Sequence, residues 1–93
     1  MAFYLIGFEV RKVREYKSLN DHLALWNAVP LHRGAWLVEH PGSAVNVRKD
    51  LQALVDPDDT VFAVQIKPGA EWSGWLVPKP ATEWLSKHFP TAF

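Results

Sequence analysis

Phe3-Tyr4-Leu5-Ile6-Gly7-Phe8-Glu9-Val10 is the stretch on which the fold turns. Seven of its eight residues are apolar or small, and the remaining one is Glu9. A short apolar run with aromatic and β-branched members predicts a buried strand. A carboxylate near the end of such a strand is costly to bury unless it is paired, hydrogen-bonded or bound to a metal. Glu9 is therefore either a strand end that water reaches or a residue with a chemical task, and both readings stand at this point.

Outward from that strand, Arg11-Lys12-Val13-Arg14-Glu15 predicts a basic loop, with three cations in four residues directly beyond Glu9. Ser18 offers a helix N-cap, with Asp21 at the capping-box position. Leu19, Leu23 and Trp26 come next at the spacing of one helix face, predicting a helix from about Leu19 to Asn27. Two readings fit residues 29–40. One is a tight hairpin from Val29–His32 to Ala35–His40, turning at Arg33-Gly34. The other is a long bent strand with Gly34 at a bulge. Pro41-Gly42 breaks the strand. Ser43 is an N-cap for a second helix, whose apolar face carries Ala44, Val47, Leu51, Leu54 and Val55. Asp56-Pro57-Asp58-Asp59 predicts a turn. Thr60–Ile66 predicts a strand whose near-continuous apolar character suggests a central place in the sheet. Beyond Pro68-Gly69, a short strand is expected within Glu71–Val77. A helix is expected from Pro80 or Ala81 to His88, with proline in its first turn.

The order β-α-β-β-α-β is that of a ferredoxin-like α+β sandwich, with both helices on one face of an antiparallel sheet and a C-terminal strand and short helix added. The 93 residues make a single domain, with a core over 3–66 and a C-terminal extension over 70–93. A chain of this size buries roughly 60–65% of its unfolded surface. With 48% apolar residues and five tryptophans, it has aromatic surface to spare for a dimer interface. Ten acidic residues balance ten basic ones, so a nucleic-acid site has to be a local patch rather than a property of net charge. The absence of cysteine excludes disulfide and thiol chemistry. With no apolar segment of membrane-spanning length and no cleavable leader, the expectation is a cytoplasmic protein with no membrane partner. The chain has no glycine-rich phosphate loop, nucleophile elbow or His/Glu metal helix, so those enzyme classes drop out.

Tyr4-Leu5-Ile6-Gly7-Phe8-Glu9-Val10, Ala35-Trp36-Leu37-Val38, Asp58-Asp59-Thr60-Val61-Phe62-Ala63-Val64, the Trp72-Ser73-Gly74 element and the Glu83-Trp84-Leu85 helix together resemble the small SinR-like proteins of bacteria. That group is in turn related in fold to the ferredoxin-like subunit of the CRISPR adaptation complex and to the virulence-associated protein D ribonucleases. The resemblance to the SinR-like group covers nearly the whole chain; the nuclease families match over about Phe3 to Ile66. It implies a homodimer with facing sheets, in which the chain end after the fourth strand adds to the partner's sheet. It also implies a metal-binding carboxylate at the end of the first strand. Those families place an aspartate there; this chain has Glu9, one methylene longer.

On that resemblance, Glu9 is the candidate catalytic residue and Mg²⁺ or Mn²⁺ ligand for phosphodiester hydrolysis, the second carboxylate coming from the other copy. Against this stands a plain strand-end carboxylate paired with Arg11 or Arg14. Arg11, Lys12 and Arg14, joined by Arg33 at the predicted turn, are the candidate phosphate contacts to RNA or DNA. Their alternative is a solvated loop paired with Glu15 or Glu9. The histidines His22, His32, His40 and His88 lack the spacing of a zinc site, although His32 or His40 suits proton transfer. Asp56, Asp58 and Asp59 fit a turn better than a cation loop. Trp72, Trp75 and Trp84 suit a core or a dimer seam, with the seam favoured, and base stacking is the alternative. The expected function is that of a dimeric nucleic-acid-binding protein with at most weak metal-dependent endonuclease activity. The alternative is a non-catalytic module with a protein partner, in a defence or toxin–antitoxin setting.

Overall fold

The computed structural model describes residues 1–9 and 17–90. Side chains alternate along β1 (Ala2–Glu9), so this one strand feeds two cores. Tyr4 and Ile6 join Leu19 and Leu23 of α1 (Lys17–Leu25), Val38, and Val47 and Leu51 of α2 (Ala44–Gln52) in one buried cluster. Phe3 and Leu5 point the other way. There they pack with Leu37 and with Ala81, Leu85 and Phe89, at and just beyond α3 (Lys79–His88). Full burial of an Ile or Leu side chain contributes about 1.5–3 kcal/mol. Ile6, Leu23 and Leu51, each fully buried, therefore anchor the first cluster.

β2 (Val29–His32), β3 (Ala35–His40) and β4 (Thr60–Ile66) complete an antiparallel four-stranded sheet in the order β2-β3-β1-β4. This order is consistent with the ferredoxin-like plan. α1 and α2 lie on one face of the sheet, as that plan requires. α3 and residues 70–77 cover part of the other, here called the far face. Among the described residues no helix is long and apolar enough to cross a membrane.

Local chemistry explains most of the boundaries. The Ser43 hydroxyl accepts from the Asn46 N–H at 3.2 Å and starts α2. Lys17 is already part of α1, which places Ser18 inside the helix rather than before it. The Asp21 carboxylate is engaged by the Lys17 ammonium at 2.7 Å instead of turning back on the helix start. That hydrogen bond, and then the charge of Asp21, raise the Lys17 pKa above its ordinary value. α1 ends in a Schellman turn: the Ala28 N–H donates to Leu23 O and the Asn27 N–H to Ala24 O, each at 3.0 Å. Asn27 takes the left-handed conformation (φ 58°) that this turn requires. Asparagine tolerates it better than the other non-glycine residues.

Arg33-Gly34 makes a two-residue hairpin turn, and a register shift between Pro30 and His32 adds an irregularity in β2. The hairpin reading is the one the structure bears out; the irregularity lies in β2 and not at Gly34. Two expectations are corrected. β4 is not central: among the described residues it pairs with β1 alone and forms an edge of the sheet. Its apolar residues serve two faces. Val61 and Ala63 pack against the α1–α2 cluster, while Phe62 and Val64 stand 49% and 48% exposed on the far face. The second correction concerns Glu71–Val77, which forms no strand. Ala70, Trp72 and Val77 are drawn onto the apolar far face, and Trp72 Nε1 donates to Phe89 O at 2.8 Å. Trp72 and Trp84 therefore pack against this chain's own second cluster, whereas Trp75 is 87% exposed.

Gly34 is held where no side chain fits. A Cβ there would lie 2.6 Å from the Phe8 carbonyl oxygen, beside the bond from the Phe8 N–H to Gly34 O at 2.8 Å. Gly34→Ala is expected to lower unfolding stability by roughly 1–3 kcal/mol in urea titrations, through backbone displacement at the β1–β3 end. At the left-handed turn, Asn27→Val is expected to cost about 1–2 kcal/mol, and Asn27→Gly to be near neutral in the same assay.

Candidate functional site at the Glu9 end of the sheet

The far face has a trough because two small residues meet there. Gly7 of β1 is paired with Ala35 of β3. On the other side of Gly7, Phe62 of β4 lays its ring across the space a side chain would fill; a Cβ on Gly7 would collide with that ring. The result is a cleft of about 310 Å³ whose lining includes Leu5, Gly7, Leu31, His32, Phe62 and, at its end, Glu9. Glu9 closes β1 opposite Thr60 and is exposed. It is the one acidic side chain in the lining among the described residues.

The hairpin turn is fixed at this same end. The bond between the Phe8 N–H and Gly34 O ties it to β1, and the Gly34 N–H donates to His32 Nδ1 at 3.3 Å. Arg33, at the tip, is exposed. Register thus brings Glu9, His32, Arg33 and Thr60 to one end of the sheet. Arg11, Lys12 and Arg14 lie outside the described residues. They follow Glu9 within five positions of the sequence.

The Asp56–Asp59 turn precedes Thr60, and so stands at this end as well. It is closed by the Asp59 N–H on Asp56 O and by the Asp56 N–H on Asp59 Oδ2, both at 3.0 Å, as the turn reading expected. Carboxylate oxygens of Asp56, Asp58 and Asp59 come within 4.8 Å of one another, and oxygen ligands of this kind suit a hard divalent cation. They are the one group of three or more metal-ligating side chains among the described residues, and the histidines form none. His22 and His40 instead flank Trp26, with ring centroids 4.6 Å away on each side. His40 Nδ1 accepts from the Gly42 N–H at 2.9 Å. His88 stacks on Phe3 at 4.5 Å.

Sequence reasoning reached Glu9, His32 and Arg33 but missed Phe62 and Thr60 as members of the site. The available signal was Gly7: a glycine inside an apolar strand marks a place where another group comes close. Comparison of the chain with protein-family models, with curated proteins and with solved structures finds no match.

The packing of Phe62 over Gly7 is measurable. Gly7→Ala is expected to destabilise the fold by about 1 kcal/mol or more as the ring is forced off the sheet. Adding Phe62→Ala to the same chain is expected to recover most of that loss in thermal or urea melts. The recovery would appear as a coupling energy between the two positions.

Proposed function

We propose that this protein binds nucleic acid as a homodimer and uses the Glu9 end of the sheet as its contact surface. The observation that carries the reading is the convergence of chain segments there. The exposed Glu9 and the Arg33 turn belong to one end of the sheet, and Arg11, Lys12 and Arg14 follow Glu9 within five positions of the sequence. Clustered cations bind the phosphate backbone without regard to sequence. Phe62, half-exposed on the far face, offers a ring on which an unpaired base can stack. This combination favours single-stranded RNA or DNA over duplex.

Under this proposal Glu9 is a ligand for Mg²⁺ or Mn²⁺, with waters and a substrate phosphate completing the shell. The ion would supply Lewis-acid stabilisation of a phosphodiester and a hydroxide at neutral pH. Glu9 holds and orients; His32, lining the same cleft, is placed for proton transfer.

A second reading, a non-catalytic module that binds another protein, is favoured by a different observation. β4 presents an uncharged apolar strand at the sheet edge.

Fluorescence anisotropy with labelled single-stranded RNA, single-stranded DNA and duplex DNA tests the main reading. Binding to single strands is expected at low salt, weakening as salt rises, and weakened several-fold by Arg33→Glu. If cleavage occurs, it should require Mg²⁺ or Mn²⁺, stop with chelator and be lost in Glu9→Ala while binding persists. Absence of binding to every probe at low salt overturns the proposal.

A further inference from the structure

The two edges of this sheet are unlike. β2, at one edge, is four residues long, contains Pro30, has an irregular register and is packed against α3. Short length, proline and a broken register are the devices that keep an edge from pairing with another chain. β4, at the other edge, has none of them. It runs seven residues, Thr60-Val61-Phe62-Ala63-Val64-Gln65-Ile66, with no charge, proline or glycine. All seven pair with β1 in unbroken register, and among the described residues no strand pairs with the opposite side. Its composition is that of a strand with neighbours on both sides, yet it has one.

We infer that β4 pairs antiparallel with β4 of a second copy of this chain, joining the two sheets into one of eight strands. The occupant is a second copy because the strand is complementary to itself. Antiparallel pairing about a two-fold axis, with all seven residues overlapping, centres on Ala63. Ala63 then faces the partner's Ala63, and Phe62 faces the partner's Val64. Thr60 faces the partner's Ile66 and Val61 the partner's Gln65. No charged residue is placed against another, and small alanines meet at the axis where the backbones approach. Phe62 and Val64, the two half-exposed apolar side chains of the strand, become an aromatic–β-branched cross-strand pair, made twice by symmetry. Residues opposite one another share a face, so both far faces point the same way.

The pairing rests on the homodimer of the proposed function and gives it a geometry: Phe62 of the cleft enters the seam, while Glu9, His32 and Arg33 stay outside it. Glu9 pairs with Thr60, at one end of β4, whereas the axis passes through Ala63. The two Glu9 carboxylates then lie toward opposite ends of the joined sheet, each with its own cleft, rather than meeting around a shared ion.

Sedimentation equilibrium of the full chain provides the first measurement. The expected mass is twice the 10.6 kDa of one chain, with dissociation on dilution. Val64→Lys alone and Phe62→Glu alone are each expected to give the single-chain mass with unchanged far-UV circular dichroism, since both positions are half-exposed within one copy. The two changes in one chain set Glu against Lys across the axis twice, and are expected to restore the dimer. Trp75→Ser, in the exposed part of the C-terminal arm, is expected to leave it unaffected. Hydrogen exchange should show β4 amides protected in the dimer and faster in the Val64→Lys chain. A wild-type chain that stays single at the highest concentration overturns the inference, as does a dimer that survives Val64→Lys. A double variant that remains single overturns the stated register.

Discussion

The structure depends on β1 being sandwiched, both between two strands and between two layers. Its backbone is hydrogen-bonded to β3 on one side and β4 on the other, and its side chains alternate between a core under α1 and α2 and a core under α3. Few residues of a small domain carry so many obligations. Tyr4 illustrates the point: 2% exposed, it crosses the first core and its hydroxyl still reaches Gly42 O at 2.6 Å, binding the central strand to the turn that starts α2. A buried phenol is tolerated because that hydrogen bond is made. Gly7, on the other face of the same strand, contributes by having no side chain at all, and the cleft exists because of it.

From this strand the rest is placed. The hairpin is pinned through Phe8, so the position of Arg33 is set by β1 rather than by the turn alone. β4 lies against β1 from Phe3 to Glu9, so the Asp56–Asp59 turn and Thr60 are delivered to the end where Glu9 stands. Glu9, the Asp56–Asp59 carboxylates and Arg33 are therefore placed at one end of the sheet. The opposite end of the far face is apolar, closed by Phe3, Trp84, His88 and Phe89 in mutual ring contact.

How much of this was legible in the sequence depended on whether the cause was local. The Ser43 cap, the apolar stripe of α2, the Asp56–Asp59 turn and the helix at Lys79–His88 are dictated by neighbouring residues and were readable. The place of β4 in the sheet was not, because an apolar strand records how much surface is covered and not what covers it. The fate of Glu71–Val77 was hidden for a related reason. Its residues suit a strand, but the uncovered half of the far face competes for Trp72 and Val77 and wins. Glu9 could be picked out as the lone charge in an apolar run. The cleft beside it could not, since it arises from Gly7 facing Ala35 across strands, which is a matter of register. The same holds for α3: Trp84, Leu85 and Phe89 announce an apolar side without saying which face of the sheet receives it.

The position of β1 also bears on how the chain is made. Both strands that flank it come later in the sequence, and the second ends at Ile66. As synthesis proceeds, Phe3, Tyr4, Leu5 and Ile6 emerge before either neighbour and wait for partners in β3, roughly a third of the chain length away, and in β4, roughly two-thirds away. Pairings between distant segments are slow to form, and apolar strands left waiting are prone to associate wrongly. The nascent chain is thus most vulnerable before Thr60–Ile66 clears the ribosome, and a chaperone that shields β1 would protect the step on which the later pairings wait.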